Sequence, residues 1–204
     1  MVEIEYKKAR IKLGDNDLVY EPAEDSFLLA DTALKEAEPG MRILEVGTGS
    51  GFISAVLKAN IPNIWLLATE INPHAALCAK KNGVEVIHAD LFRGIKIKAP
   101  ESRFNLILFN PPYLPTSGEE RVPGWLNYAF DGGKSGRETL DRFLEEVRSY
   151  LRPGGKILVL ISSITGFEAV KEKMRKLGFE VEVMGRTKVS FEELLAIRGI
   201  DLKR

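Results

Sequence analysis

The chain has one cysteine, Cys78, in 204 residues, so it can form no internal disulfide and no cysteine-built zinc site. Histidine is almost as scarce: His74 and His88 are the only two. They sit in no metal-ligand pattern, and no resident metal is expected. An excess of charge of either sign is missing as well. The 29 basic and 29 acidic residues cancel, which removes the broad positive field that draws a protein to a polyanion. Nucleic acid is therefore not the favoured partner. No apolar run approaches the ~20 residues of a membrane-spanning helix. The opening stretch MVEIEYKKARIKLGD is charged and alternating, unlike a secretory signal. A cytoplasmic protein without membrane contact is the expectation. Glutamine is absent while Lys and Glu are plentiful, a composition found in proteins from hot-growing sources.

Hydrophobic residues make up 45% of the chain and charged ones 28%, ordinary values for a soluble globular protein. The length suits one domain with a proper core. With no repeat, linker or low-complexity tract, residues 1–204 are read as one domain, of which 1–18 form a polar N-terminal arm.

Strands and helices alternate along the chain. Pro22–Ala37 has helical spacing, with Glu24 and Asp25 at the positive end of its dipole. Arg42–Val46 reads as a strand and Phe52–Ala59 as a helix. Ile64–Thr69 is the second strand, and Asn72-Pro73 opens the next helix as N-cap and first helical residue. Val84–Ala89 and Phe104–Phe109 are further strands. Arg137–Leu151 is an amphipathic helix stopped by Pro153-Gly154-Gly155, and Lys156–Ser162 is a strand. Thr165 and Glu168 have the spacing of a capping box for a helix ending at Gly178. The remainder reads as two strands joined without a helix. The expected fold is α/β: a Rossmann-like, seven-stranded sheet, mostly parallel, covered on both faces and closed by a C-terminal antiparallel hairpin.

Between the first parallel strand and its helix lies Glu45-Val46-Gly47-Thr48-Gly49-Ser50-Gly51. The spacing is GxGxG, not the GxGxxG of dinucleotide sites, and a carboxylate precedes it. That charge would repel a pyrophosphate and attract a cation such as S-adenosylmethionine, which carries a sulfonium and an ammonium. Gly47 and Gly49 let the backbone turn and a ligand approach. Glu70 closes the second strand, placed to accept from ribose hydroxyls. Asp90 closes the third, placed to accept from an adenine amino group.

The fourth strand ends in Asn110-Pro111-Pro112-Tyr113. Successive prolines fix φ, remove two N–H donors and hold Asn110 and Pro111 extended. The Asn110 side-chain oxygen and the Pro111 carbonyl thus form a rigid pair of acceptors. An amide or exocyclic aryl nitrogen is a poor nucleophile, because its lone pair is delocalised. Holding both of its hydrogens orients it toward a methyl donor and stabilises the charge that develops. Tyr113 is read as an aromatic wall for a flat amide or base. Residues 114–136 carry many turn residues and the aromatics Trp125, Tyr128 and Phe130, and are read as a substrate-facing loop.

VYEPAEDSFLL at Val19–Leu29, the glycine loop, Asn110–Tyr113 and Ala129-Phe130-Asp131-Gly132-Gly133 with Gly136-Arg137-Glu138 resemble the HemK-type glutamine methyltransferases, in particular their archaeal and eukaryotic branch. The resemblance runs from about Val19 to the C-terminus. It implies N5-methylation of the glutamine in the Gly-Gly-Gln loop of a class 1 release factor, with S-adenosylmethionine as cofactor. Cofactor contacts are implied for Ser26, Glu45, Gly47, Glu70, Asp90, Leu91 and Asn110, and a substrate amide held by Asn110 and Pro111 beside Tyr113. It also implies a small zinc-binding activator protein paired with the strand at Val84–Ala89. Bacterial members carry an extra N-terminal helical domain to which nothing here corresponds, and Phe130 stands where relatives often have Trp. The competing readings are an adenine N6-methyltransferase acting on nucleic acid, a methyltransferase for another protein side chain, and a non-catalytic cofactor-binding module.

Overall fold

Short apolar runs separated by glycine and proline turns dominate the middle of the chain, and in the computed structural model they line up as neighbouring strands. The structure describes residues 2–15, 17–116 and 124–202. Its elements are β1 (Glu3–Tyr6), β2 (Ala9–Lys12), α1 (Glu24–Glu36), β3 (Arg42–Val46), α2 (Phe52–Asn60), β4 (Trp65–Glu70), α3 (Pro73–Lys81) and β5 (Val86–His88). After them come β6 (Phe104–Phe109), α4 (Glu138–Glu146), β7 (Leu151–Ser162), α5 (Phe167–Lys176), β8 (Phe179–Val189) and β9 (Glu192–Asp201). Strands β3 to β9 form one seven-stranded sheet in the order β5-β4-β3-β6-β7-β9-β8. Strands β3 to β7 pair in parallel, β9 runs antiparallel to β7, and β8 antiparallel to β9. This is the expected α/β sheet with its terminal hairpin.

The strand residues alternate between two cores. Ile43, Leu106, Leu108, Leu158 and Leu160 point to one face, under α1 and α2. Leu44, Ile107, Phe109, Ile157 and Val159 point to the other, under α4 and α5. A strand buried on both faces must be apolar at every position, which is why these runs show no polar alternation. Glu36 at the end of α1 accepts from Lys156 Nζ and Arg198 Nη1, both at 2.8 Å, and so fastens the helix across the sheet.

Three local expectations are corrected. The N-terminal arm is a hairpin of β1 and β2, because alternation in Ala9-Arg10-Ile11-Lys12-Leu13 puts Ala9, Ile11 and Leu13 on one buried side. Tyr6 joins this packing, with its ring 5.1 Å from Phe27 and 5.4 Å from Phe52. Secondly, Thr165 and Glu168 make no capping box. Gly166 caps α5 with φ +79°, and Thr165 Oγ1 donates back to the Ser162 carbonyl at 2.6 Å. Finally, α4 ends at Glu146 and tightens into a 3-10 turn over Val147–Tyr150. Pro153-Gly154-Gly155 does not separate helix from strand. It lies within β7, where the register jumps from Phe104↔Leu151 to Leu106↔Lys156 and the extra residues loop out.

Candidate active site

The carboxyl ends of β3, β4, β5 and β6 open into a cavity of about 490 Å³, within the usual range for a small-molecule site. Its lining includes Ser26, Glu45, Gly47, Gly49, Glu70, Asp90, Leu91, Asn110, Pro111 and Pro112. Ten residues singled out from the sequence therefore meet in one place. Tyr113 is not in that lining. Its half-buried ring packs against the core under α1, and burial, followed by the charge of Asp25, raises its hydroxyl above the ordinary value.

The glycine loop is shaped by contacts below it. Gly51 precedes α2 with φ +83°, and a Cβ there would lie 2.9 Å from the Ala79 Cα. Gly49, at φ +58°, donates its N–H to Glu70 Oε2 at 2.7 Å. The other Glu70 oxygen accepts from Asn72 N at 2.8 Å, so this buried carboxylate ties the loop to the start of α3. Burial also raises its pKa. Asn72 caps α3 as expected, accepting from His74 N at 2.9 Å.

Glu45 lies beneath the loop, 3% exposed. Its Oε2 accepts from Thr48 Oγ1 at 2.7 Å, from Ser54 N at 3.0 Å and from Ser54 Oγ. Burial outweighs these hydrogen bonds and pushes the carboxyl up to about 7. Asp90 is less enclosed, and its Oδ2 accepts from Arg142 Nη2 at 2.7 Å. Leu91, next in the chain, is buried with φ +47°.

At the end of β6, Asn110 donates from Nδ2 to Asp25 Oδ2 at 3.0 Å. Its Oδ1 is buried and has no hydrogen-bond partner. Asp25, 3% exposed, also accepts from the Tyr20 hydroxyl, 3.0 Å from each oxygen, and from Ser26 N and Oγ. Burial and then the Asp25 charge hold the Tyr20 hydroxyl well above its ordinary value, so it stays a donor. The sequence reading missed this network. Asp25 is there a helix-dipole acid and part of the Val19–Leu29 motif with no site role, and no local pattern joins residue 25 to residue 110.

The described segment from Trp125 to Gly133 borders the same cavity. Leu114 bridges to Asp131, and Thr116 Oγ1, Asn127 Nδ2 and Gly133 N converge on the Asp131 carboxylate. Trp125 and Tyr128 line the cavity. Phe130 meets Tyr20 edge-on, 5.5 Å between ring centres at 85°. Residues 117–123 of the expected substrate-facing loop lie outside the described residues.

The Methyltransferase small domain family matches residues 24–122. A protein of Methanocaldococcus jannaschii, provisionally named a protein N5-glutamine methyltransferase, is 43% identical over 196 residues, 93% of this chain and 95% of its own. The chain belongs to the HemK-type N5-glutamine methyltransferase family. Another member, methyltransferase HEMK2 of Homo sapiens, is 38% identical over 173 residues, covering 79% of this chain and 80% of its own. Among solved structures, the E. cuniculi Mtq2–Trm112 complex, responsible for methylating the eRF1 translation termination factor, superposes with a TM-score of 0.71. The match is 26% identical and covers 90% of this chain and 98% of that one. The release factor glutamine methyltransferase of Geobacter sulfurreducens is 30% identical, with 58% of its length matched. For this HemK-type chain, the Asn-Pro-Pro-Tyr loop and the glycine loop thus open onto one cavity. No described helix is long and apolar enough to cross a membrane, and no described cluster of His, Cys, Asp and Glu could hold a metal ion.

Proposed function

We propose that this protein transfers a methyl group from S-adenosylmethionine to N5 of the glutamine in the Gly-Gly-Gln loop of a class 1 release factor. The observation that carries the reading is Asn110 Oδ1, a buried acceptor without a partner on a residue that lines the carboxylate-rich cavity. An orphaned buried acceptor is costly unless something fills it, and the N–H of a substrate amide would do so.

The residues present fit the cofactor. Glu45, Glu70 and Asp90 line a cavity whose one cationic lining residue among the described residues, Arg142, is already engaged by Asp90. This donor set favours a ligand that is positively charged and rich in hydroxyls. In the proposed arrangement Glu45 holds the amino-acid end, Glu70 the ribose hydroxyls and Asp90 the adenine amino group. Ser26, Gly47, Gly49, Leu91 and Asn110 complete the contacts. When bound, S-adenosylmethionine supplies an electrophilic methyl group and leaves as a thioether. Asn110 Oδ1 and the Pro111 carbonyl would accept the two hydrogens of the glutamine amide and so orient its nitrogen for methyl transfer. As the N–C bond forms, the same two oxygens stabilise the positive charge on nitrogen. One N–H proton then passes to water, and no strong base is needed. Pro112 and Tyr113 stiffen the loop from behind.

The Mtq2–Trm112 pairing supports a two-protein unit here too. The proposed partner is a small zinc-binding activator that adds a strand along β5, which is at the edge of the sheet.

The test is incubation with methyl-labelled cofactor and a purified class 1 release factor, or duplex DNA, with the product located by mass spectrometry. Label is expected on the Gly-Gly-Gln glutamine and to vanish in Asn110→Ala, which loses one of several cofactor contacts and so still binds the cofactor, more weakly. Label on DNA alone would overturn the reading.

A further inference from the structure

An asparagine amide has nearly the same shape in its two flips, yet only one flip presents an acceptor to an incoming N–H. Something must choose between them. We propose that Asp25 is the positioning residue that fixes which end of the Asn110 amide faces the substrate, making the site selective for a nitrogen that still carries hydrogens. The inference rests on the function proposed above and assigns to Asp25, which also borders the cavity, a role exerted through Asn110.

An ionised carboxylate only accepts, so the group facing it must be Nδ2, as the 3.0 Å contact shows. The reverse flip would set two acceptors against each other there and turn a donor toward the substrate hydrogens. Asp25 cannot rotate to relieve such a clash. The Tyr20 hydroxyl reaches both of its oxygens at 3.0 Å, and Ser26 N and Oγ hold Oδ1. The negative charge behind the Asn110 amide also polarises it, which makes Oδ1 a stronger acceptor as the substrate nitrogen becomes positive.

Asp25→Asn tests this because it keeps the shape and removes the instruction. The one remaining oxygen at position 25 is claimed by the Ser26 N–H and hydroxyl, so the new NH2 group faces Asn110 and turns its amide over. We expect kcat on the release factor to fall roughly 10²-fold, with KM and cofactor Kd changed less than about threefold. Asn110→Asp alone places two carboxylates at the same contact and also loses activity. The double exchange Asp25→Asn/Asn110→Asp restores one donor facing one acceptor and again turns an oxygen to the cavity. It should recover at least about tenfold over Asp25→Asn, a coupling that single losses of structure do not produce. Wild-type kcat in Asp25→Asn, or no recovery in the double variant, would overturn the assignment. A readout independent of substrate is the side-chain ¹⁵N amide of Asn110. One of its hydrogens is expected to be protected from exchange in the wild type and exposed in Asp25→Asn. If that protection is seen while the wild type leaves release factors unlabelled, the orientation stands and the substrate reading fails. If the two proteins exchange alike, the orientation fails whatever the substrate.

Discussion

Glu45 gives the site a pH dependence whose sign follows from its burial. The carboxyl is raised to about 7 from an ordinary 4.5, first by desolvation and against hydrogen bonds from Ser54 and Thr48. Without ligand, the folded protein therefore keeps this proton where the unfolded chain has lost it. Stability from this group is highest below about pH 4.5 and falls as pH rises toward about 7, by about 3 kcal/mol at most. A cationic cofactor needs the opposite form, the carboxylate. Roughly a tenth of the protein is ionised at Glu45 at pH 6 and roughly nine-tenths at pH 8. If only the ionised form binds well, the apparent Kd for S-adenosylmethionine is about tenfold weaker at pH 6 than at pH 8. Above about pH 8 the cofactor's own α-amino group begins to lose its charge, and affinity declines again. Isothermal titration across this range, in buffers of matched ionic strength, measures the profile. Glu45→Gln retains an acceptor for Ser54 and Thr48 but has no charge to regain, so its affinity stays low and flat below pH 8. A wild-type profile that is level from pH 6 to 7.5, or a Glu45→Gln profile with the same slope, would refute the electrostatic role.

Other substitutions probe the frame around the cavity. Gly51→Ala puts a Cβ 2.9 Å from backbone at a left-handed position. It should cost about 3 kcal/mol and lower Tm by roughly 6–12 °C in a thermal scan. Arg142→Ala frees a carboxylate whose partner is half exposed, so cofactor Kd should rise by no more than about fivefold. Ile11→Ala removes a fully buried side chain of the N-terminal hairpin and should cost about 2–5 kcal/mol in urea denaturation. A disordered polar arm at this position would give no change.

The sheet was legible because its strands are short, apolar and punctuated. Arg42–Val46 and Phe104–Phe109 are bounded as expected, and Asn72 caps its helix as its neighbours imply. The residues at the strand ends that line the cavity were legible for a related reason. In a parallel sheet, a residue at a strand's carboxyl end is placed at the ligand edge by topology alone. What stayed hidden depends on tertiary contact. The β1–β2 hairpin has four-residue strands, and its fully buried side chains are Ala9, Ile11 and Leu13, with Ile4 and Tyr6 partly buried beside them. Before the core is seen, such a pattern cannot be told from a polar arm. Thr165 has capping-box spacing, but its hydroxyl turns back to Ser162 once β7 extends that far. Tyr113 follows two prolines at the ligand edge, and only the packed structure shows its ring against the core under α1.

The same distinction governs the chemistry. A site that relied on a general base would need one residue of suitable pKa, and a motif would announce it. A site that works by orientation needs its acceptors held from several directions, and here the supports come from distant parts of the chain. Consecutive prolines stiffen Asn110 and Pro111 from within the loop. Asp25, 85 residues earlier, fixes the amide from behind. Tyr20 pins Asp25 and is itself covered by Phe130 from the segment that borders the cavity. The segment that carries Phe130 and the Asn110 amide are thus linked through Tyr20 and Asp25, two side chains that themselves border the cavity.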